Sequence, residues 1–467
     1  MQCTFLSRMA LAVGIAALLC ACSASKNVTQ TQQRIQAVED YRATDMSAVS
    51  KKLNTYRKEK EDKVLYHLER GMLHHYQENW ERSSKHFTES ERAIEKFYTE
   101  SINRNLQSML VNDLQLAYEG EAYEDIYINA FKCLNYLHQG NREAAMVETR
   151  RATHKLEHLS DRYKGLAESV TRDTAQAAIE KVDEKLQEVD LLETEEGTAP
   201  VEIRQHSALG RFIATVLHTK NNAPDDARIE FEKLQAALQD QEQPGFLASF
   251  PKYAPRTATS RVVTPTRSQL TEPGAYNTLI VALHGYAPRK RERKFQFDLQ
   301  IEGEEIQLTF AVPVLRLPDT NVARVRAHVA GEVLEVPVVE DMQETAKTMF
   351  AEKKPIVYTR AVLRSFLKAG ATELAGEQAS KQGGAALEWL VEQGGEAVSN
   401  RVAQADTRNW QTMPGLARAT VAKLPAGRHT LIFEFLSPNG RVLETRSRRV
   451  EVSGRQDLAL AEAIFLK

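Results

Sequence analysis

The stretch Asn135-Tyr-Leu-His-Gln-Gly-Asn-Arg-Glu-Ala-Ala-Met-Val-Glu-Thr-Arg-Arg-Ala152 decides the fold of the first half of the chain. It reads as a helix, a tight turn at Gly140-Asn141 and a second helix. Tyr136 supplies the large packing residue of the first helix. Ala145 and Ala152 supply small ones that let the second approach closely. Cys133 falls on the apolar face of the first helix, where a buried structural thiol is expected.

Working outward, the same grammar recurs. From Leu68 to Ile94, Gly71 and Tyr76 precede a turn at Asn79, and Ser83, Phe87 and Ala93 follow it. From His206 to Leu238, Asn221-Asn222-Ala-Pro224 forms the turn, with Ala227, Phe231 and Leu234 as packing positions. Such hairpins resemble tetratricopeptide repeats, at an irregular spacing of roughly 60 to 80 residues. Extra helices are therefore expected between them, such as Asn103 to Glu119 and Arg162 to Val189. Residues 51–240 read as an all-α, tetratricopeptide-like superhelix, or as an irregular α-bundle obeying the same hairpin rules.

Residues 241–275 change character, holding five of the chain's 15 prolines and no sustained period. They read as a linker or an extended wrapping segment. From Asn277 the period becomes two. Thr278 to His284 is a mostly apolar strand. Phe295, Phe297, Leu299 and Ile301 alternate, Glu302-Gly303 turns, and Ile306, Leu308, Phe310 and Val312 alternate again. A hairpin at Ala330-Gly331 joins Val322–Val329 to Glu332–Val339. Strands resume at Leu416–Lys423, His429–Leu436, Arg441–Val452 and Leu458–Phe465, with Pro438-Asn-Gly440 as a hairpin turn. Residues 276–467 thus read as a β-sandwich-like domain. Its interruption, about 342–404, reads as a small-residue helical hairpin packed on the sheet or the repeats. The fold class predicted is α+β and multidomain.

The N-terminal end carries an address. Arg8 is followed by about eleven apolar residues, too short to span a bilayer, which reads as an export signal. Leu19-Cys20-Ala21-Cys22 resembles a bacterial lipobox. That resemblance implies a signal peptide over 1–21, lipidation of Cys22, a polar tether over 22–50, and, with Ser23 rather than Asp after the cysteine, a periplasm-facing outer-membrane address. With 467 residues there is room for about two to four domains. The 61 basic and 63 acidic residues nearly cancel, which does not suggest a nucleic-acid binder. Of four cysteines only Cys133 would remain free in the mature chain, excluding an internal disulfide or a cysteine zinc site.

Two further groups of residues call up a family. Tyr118-Glu-Gly-Glu-Ala-Tyr-Glu-Asp125, with Lys132-Cys-Leu-Asn-Tyr-Leu-His-Gln-Gly140 and Val147-Glu-Thr-Arg-Arg151, form one. Ala405-Asp-Thr-Arg-Asn-Trp-Gln-Thr-Met-Pro414, with Leu424-Pro-Ala-Gly427, form the other. Together they resemble a family of uncharacterised bacterial outer-membrane lipoproteins with tetratricopeptide-like repeats. The resemblance implies an envelope lipoprotein and brings no catalytic residues.

The chain has no His-Glu-x-x-His helix, Gly-x-Ser-x-Gly elbow, phosphate loop or dinucleotide glycine pattern, and no cofactor or metal is expected. His284-Gly285 reads as a strand end, and His74 and His75 as surface or packing histidines. Glu121 and Asp125, four apart on one helix face, could share a proton in an envelope hydrolase, although an exposed pair is the commoner case. Arg289, Lys290, Arg291, Arg293 and Lys294 could meet anionic lipid or wall polymer, or form a solvated hairpin tip. Asp406 and Arg408 are spaced to form an ion pair shielded by Trp410, either as a latch beneath the insertion or as a partner site; the latch is favoured. The leading function is a non-enzymatic scaffold that docks another envelope protein along its helical groove. A glycan- or lipid-binding module is the other alternative.

Overall fold

The computed structural model describes residues 62–102, 116–159, 161–165, 207–240, 243, 245–253, 262–301, 304–368, 404–453 and 458–466. The anchor cysteine, Cys22, lies outside them. Helices α1 (Lys63–Tyr76) and α2 (Trp80–Ile102), α3 (Ala122–His138) and α4 (Arg142–Glu157), α5 (Ala208–Lys220) and α6 (Pro224–Asp240) form three antiparallel pairs. All three turns are built alike. A left-handed residue follows the first helix: Glu78 (φ 59°), Gly140 (φ 69°) or Asn222 (φ 56°). The next amide then reaches back to the last turn: Asn79 N to His74 O at 2.8 Å, Asn141 N to Tyr136 O at 2.8 Å, Ala223 N to His218 O at 3.0 Å. This is one helix-terminating motif used three times.

Close approach within a pair comes from small residues. A Cβ at Gly71 would lie 2.5 Å from the Phe87 ring, so α1 meets α2 only because Gly71 has none. Ala145 and Ala152 are buried in the same way on α4, while Tyr136 is half-buried. Leu116–Glu119 runs non-helically into α3, so the end of the helix expected over Asn103 to Glu119 is not helical, and 103–115 lie outside the described residues. Residues 161–165 are helical, as expected for the start of the Arg162 to Val189 helix; the remainder lies outside.

The β half has strands β1 (Thr278–His284), β2 (Arg289–Ile301), β3 (Glu304–Arg316), β4 (Arg324–Val329), β5 (Glu332–Glu335), β6 (Val338–Asp341), β7 (Leu416–Ala422), β8 (Gly427–Leu436), β9 (Val442–Val452) and β10 (Ala459–Phe465). They form a sheet of order β10-β1-β7-β6, a second of order β5-β4-β8-β9, and a two-stranded ribbon β2-β3. β10 runs parallel to β1, and the other pairings are antiparallel. The segment expected as one strand from Glu332 to Val339 is two. It breaks at Val336-Pro337, where proline has no amide to continue the ladder, and β6 crosses to the other sheet.

The molecule is layered as helices, sheet, sheet. Leu279, Val281, Leu283, Ala417, Ala419 and Val421 face the helices and share a core with Leu68, Phe131 and Phe212. On the reverse face, Ile280, Ala282, Ala422, Ala461 and Ala463 pack against Val325, Ala327, Leu431 and Phe433 of the second sheet. A strand covered on both sides buries every position, which is why β1 is apolar without alternation from Leu279 to Leu283. The helical and β halves therefore have one core between them. Glu340 pins the junction by accepting Tyr127 Oη at 2.6 Å, Ser207 Oγ at 2.7 Å and Leu209 N at 2.9 Å, the last two at the start of α5.

The described residues of the proline-rich segment are part of this assembly. Phe246 and Phe250, around a short helix α7 (Gly245–Ala248), are buried in the core, as is Leu270 of a 3-10 turn, and Val263 bridges Lys423. After β6, helix α8 (Met342–Lys368) begins where Asp341 accepts Gln343 N at 2.9 Å and Glu344 N at 3.2 Å, and it packs along β3. The rest of the expected insertion, 369–403, lies outside the described residues.

Candidate functional site

The two sequence signatures, far apart along the chain, meet at the start of α3. The chain turns at Gly120 (φ +77°) and enters the helix at Glu121. Glu124, three residues on, accepts the Glu121 amide at 2.9 Å, satisfying a donor that the helix start leaves unpaired. Its carboxylate also accepts Tyr118 Oη at 2.8 Å and, from the other signature, the Trp410 amide at 2.6 Å. The Trp410 indole is wholly buried, edge-on to Phe87 at 5.5 Å and to Phe131 at 5.6 Å, and donates to Thr412 Oγ1 at 3.2 Å. Its aromatic contacts are with Phe87 of α2 and Phe131 of α3, and it shares a core with Met342, Ala346 and Met349 at the start of α8.

Asp406 and Arg408 do form an ion pair, at 2.8 Å, and Arg408 also donates to Leu116 O at 3.1 Å. The expected shield is different. The guanidinium lies 5.3 Å from the centroid of Tyr118, which takes the place assigned to Trp410. Burial raises Asp406, but Arg408 outweighs it and leaves the carboxyl below its ordinary range.

The basic run is divided by strand geometry. It opens strand β2 instead of capping a hairpin, so Lys290 points inward, is 7% exposed, and is ion-paired with Glu121. Lys290 is thus removed from the set of cations offered to lipid or polymer. Lys353 of α8 reaches Glu121 as well, at 3.2 Å, and the two lysines outweigh burial to hold that carboxyl low. Glu124 goes the other way. Burial first, and the Glu121 carboxylate second, push it up to about 7.

On the outer side of α3 an open groove of about 700 Å³ runs between α2 and α4. Its floor is ionic. Glu91 meets Lys155 at 2.7 Å and Lys132 at 3.0 Å, while Asp125 meets Lys155 at 2.7 Å and Arg162 at 3.2 Å. Burial acts against Glu91, but its lysines bring it down to about 2. Arg92, Glu95, Tyr98, His154 and His158 stand along the walls. The carboxylate pair Glu121 and Asp125 is neither exposed nor proton-sharing, because each is buried against its own cations.

Other expected residues have packing roles. Cys133 is buried and its thiol pushed up by desolvation, the opposite of a reactive cysteine. His284 ends β1, accepts Arg418 Nε at 2.9 Å, and burial with Arg418 lowers it to about 3. His75 is fully buried and donates to Asn135 Oδ1 at 2.7 Å and Glu462 Oε1 at 3.0 Å. Sequence reasoning passes over Glu462, Glu340 and Glu124. Only Glu124 carries a local signal, its capping position three residues after Glu121. Among the described residues no helix is long and apolar enough to cross a membrane. Comparison with protein-family models, with curated proteins and with solved structures found no match to this chain.

Proposed function

We propose that the chain is a non-enzymatic lipoprotein of a bacterial outer membrane, anchored through Cys22 and facing the periplasm, that docks another envelope protein in assembly or regulation of the wall. In this reading the three helical pairs are a tetratricopeptide-like superhelix, and the two four-stranded sheets are a sandwich-like domain with α8 opening its helical insertion. The observation that carries it is the groove along α2, α3 and α4. It is open, walled by three consecutive helices, and its carboxylates Glu91 and Asp125 are already matched by cations. Such a surface offers recognition to an extended or helical segment and no poised acid or base. Glu124, pushed up to about 7, is 0% exposed and accepts three internal donors, so no substrate reaches it.

The test is site-specific photocrosslinking in intact cells. Crosslinkers at Thr88, Arg92 and His158 in the groove are expected to trap one common envelope protein, and one at Tyr253, on the far segment, is expected not to. Capture only from Tyr253 would place docking elsewhere. Cys22→Ser tests the anchor independently: outer-membrane fractionation is expected to vanish, and a cleaved Ser variant that still fractionates with the membrane would defeat it.

A further inference from the structure

The end of α4, His154-Lys-Leu-Glu-His158, sets two imidazoles one helical turn apart on the wall of the groove. Residues four apart on a helix share a face, with about 5 to 6 Å between their Cβ atoms. The helical path holds through the second histidine: the His158 amide donates to His154 O at 3.2 Å, and the Arg162 amide to His158 O at 3.1 Å. The two rings stack, with centroids 4.1 Å apart and planes 22° from parallel. Both residues are exposed, and among the described residues neither ring forms an ion pair.

His158 Nδ1 lies 2.9 Å from His154 O. A carbonyl oxygen only accepts, so Nδ1 carries the proton, and in the uncharged ring the lone pair is then on Nε2. Metal-binding imidazoles are built this way, with the second nitrogen tied to an acceptor that fixes tautomer and orientation. The cations around the pair are already balanced from below. Lys155 meets Glu91 and Asp125 at 2.7 Å each, and Arg162 meets Asp125 at 3.2 Å. Asp161, which lines the same groove beyond His158, adds a further carboxylate.

We propose that His154 and His158 chelate one divalent transition-metal ion of the zinc and copper class through their Nε2 atoms. Imidazole suits such borderline ions, which sit about 2.0 to 2.1 Å from the ligating nitrogen. To admit one, the stack has only to open at its outer edge, a rotation that exposed side chains make readily. The spacing is that of zinc helices, including the variant with glutamate directly before the second histidine. Here that glutamate, Glu157, lies 3.7 Å from Lys233 of α6. Among the described residues no group of three or more His, Cys, Asp or Glu is placed to hold an ion. The site therefore has two protein ligands and leaves the other positions of the ion to water. It goes beyond the docking reading, because it needs no partner.

The experiment is calorimetric titration of Cu2+ into the full chain bearing Cys22→Ser, which removes the acyl group, with electron paramagnetic resonance of the loaded protein. One ion per chain is expected, coupled to two imidazole nitrogens. Loss of a supporting contact alone costs a metal site about 10- to 100-fold, so His154→Gln and His158→Gln, which each break the chelate, are expected to weaken binding by at least roughly tenfold. His158→Asn serves if glutamine disturbs the helix end. The competing pair is His67 and His86 of α1 and α2, whose Nδ1 atoms lie 3.0 Å apart. His86→Gln is expected to leave the affinity unchanged. No binding by the parent chain, loss through His86→Gln with the α4 variants unaffected, or loss in only one of the two α4 variants would overturn the proposal. Crosslinkers at Thr88 and Arg92 leave both imidazoles in place, so docking and metal binding fail or stand separately.

Discussion

Glu124 and Glu462 are both glutamates, both completely buried, and both placed where the helical layer meets chain from the β half. Their carboxyls are driven in opposite directions. Burial raises each, as it must for an acid taken out of water. At Glu124 the strongest charge effect comes from another carboxylate, Glu121, and the result stands near 7. At Glu462 two imidazoles outweigh burial, His75 at 3.0 Å and His138 at 2.6 Å, the latter stacked on Trp80 with centroids 3.9 Å apart. They pull it far below the ordinary carboxylate range. His75 is itself lowered by burial and raised by more through Glu462. Burial alone therefore predicts neither residue. One junction is held by hydrogen bonds around a carboxyl that is easily neutralised, the other by charge.

The largest expected effect breaks the first junction by volume. Trp410→Ala removes the indole that Phe87 and Phe131 enclose, and is expected to cost about 3 to 5 kcal/mol in denaturant unfolding of the full chain. Because its aromatic contacts are with α2 and α3, hydrogen exchange should show those helices loosening before α8. Loosening of α8 alone would mean that the indole latches the insertion after all.

The second prediction breaks the other junction by charge. Glu462→Gln keeps the shape but leaves His75 without its counter-ion, at an expected cost of about 3 kcal/mol. The sign with pH is set by the raised His75 pKa. Its contribution is complete below the ordinary 6.5 and is lost as pH rises through the raised value. The penalty of Glu462→Gln should therefore shrink from pH 6 to pH 9. A penalty independent of pH would mean that His75 is not charged in the fold.

Much of this architecture is legible in local pattern. Hairpin turns at Asn79, Gly140-Asn141 and Asn221-Asn222 depend on residues adjacent in sequence, and so does the period-two reading of Phe295 to Ile301. Asp406, Arg408 and Trp410 stand out by composition, and the pairing of Asp406 with Arg408 follows from a spacing of two. What covers them does not, since Tyr118 and Glu124 belong to the other half of the chain. The same limit applies to Lys290 and Glu121, and to His75 and Glu462, which are brought together by tertiary packing alone. A run of cations shows its charge in sequence. Which members turn inward depends on where the strand begins.

A third prediction sharpens the contrast through Glu124 itself. Its folded pKa of about 7 lies above the ordinary 4.5, so the folded chain holds a proton that the unfolded chain has released. Stability contributed by this group is complete below 4.5 and is lost as pH rises through 7, by about 3 to 4 kcal/mol. Glu124→Gln cannot titrate and should flatten the stability profile between these values, leaving the decline above 6.5 that belongs to His75. An unchanged slope would place the titrating group elsewhere.

The smallest expected effect acts beside the Glu462 junction without touching its charges. Glu78 follows α1, the helix that delivers His75, and adopts φ 59° with a side chain that disfavours it. At the equivalent turns the chain has Gly140 and Asn222, the two residue types that accept this conformation most readily. Glu78→Gly is expected to relieve the strain and raise stability by about 1 kcal/mol. It also removes an exposed contact with Arg448 at 3.6 Å, worth little at such a surface. If charge alone governs this junction, the gain should be the same at pH 6 and pH 9, because a backbone term does not titrate. A gain that follows the His75 profile would show instead that the turn sets how closely the imidazole approaches Glu462, and that the cap and the ion pair act as one unit.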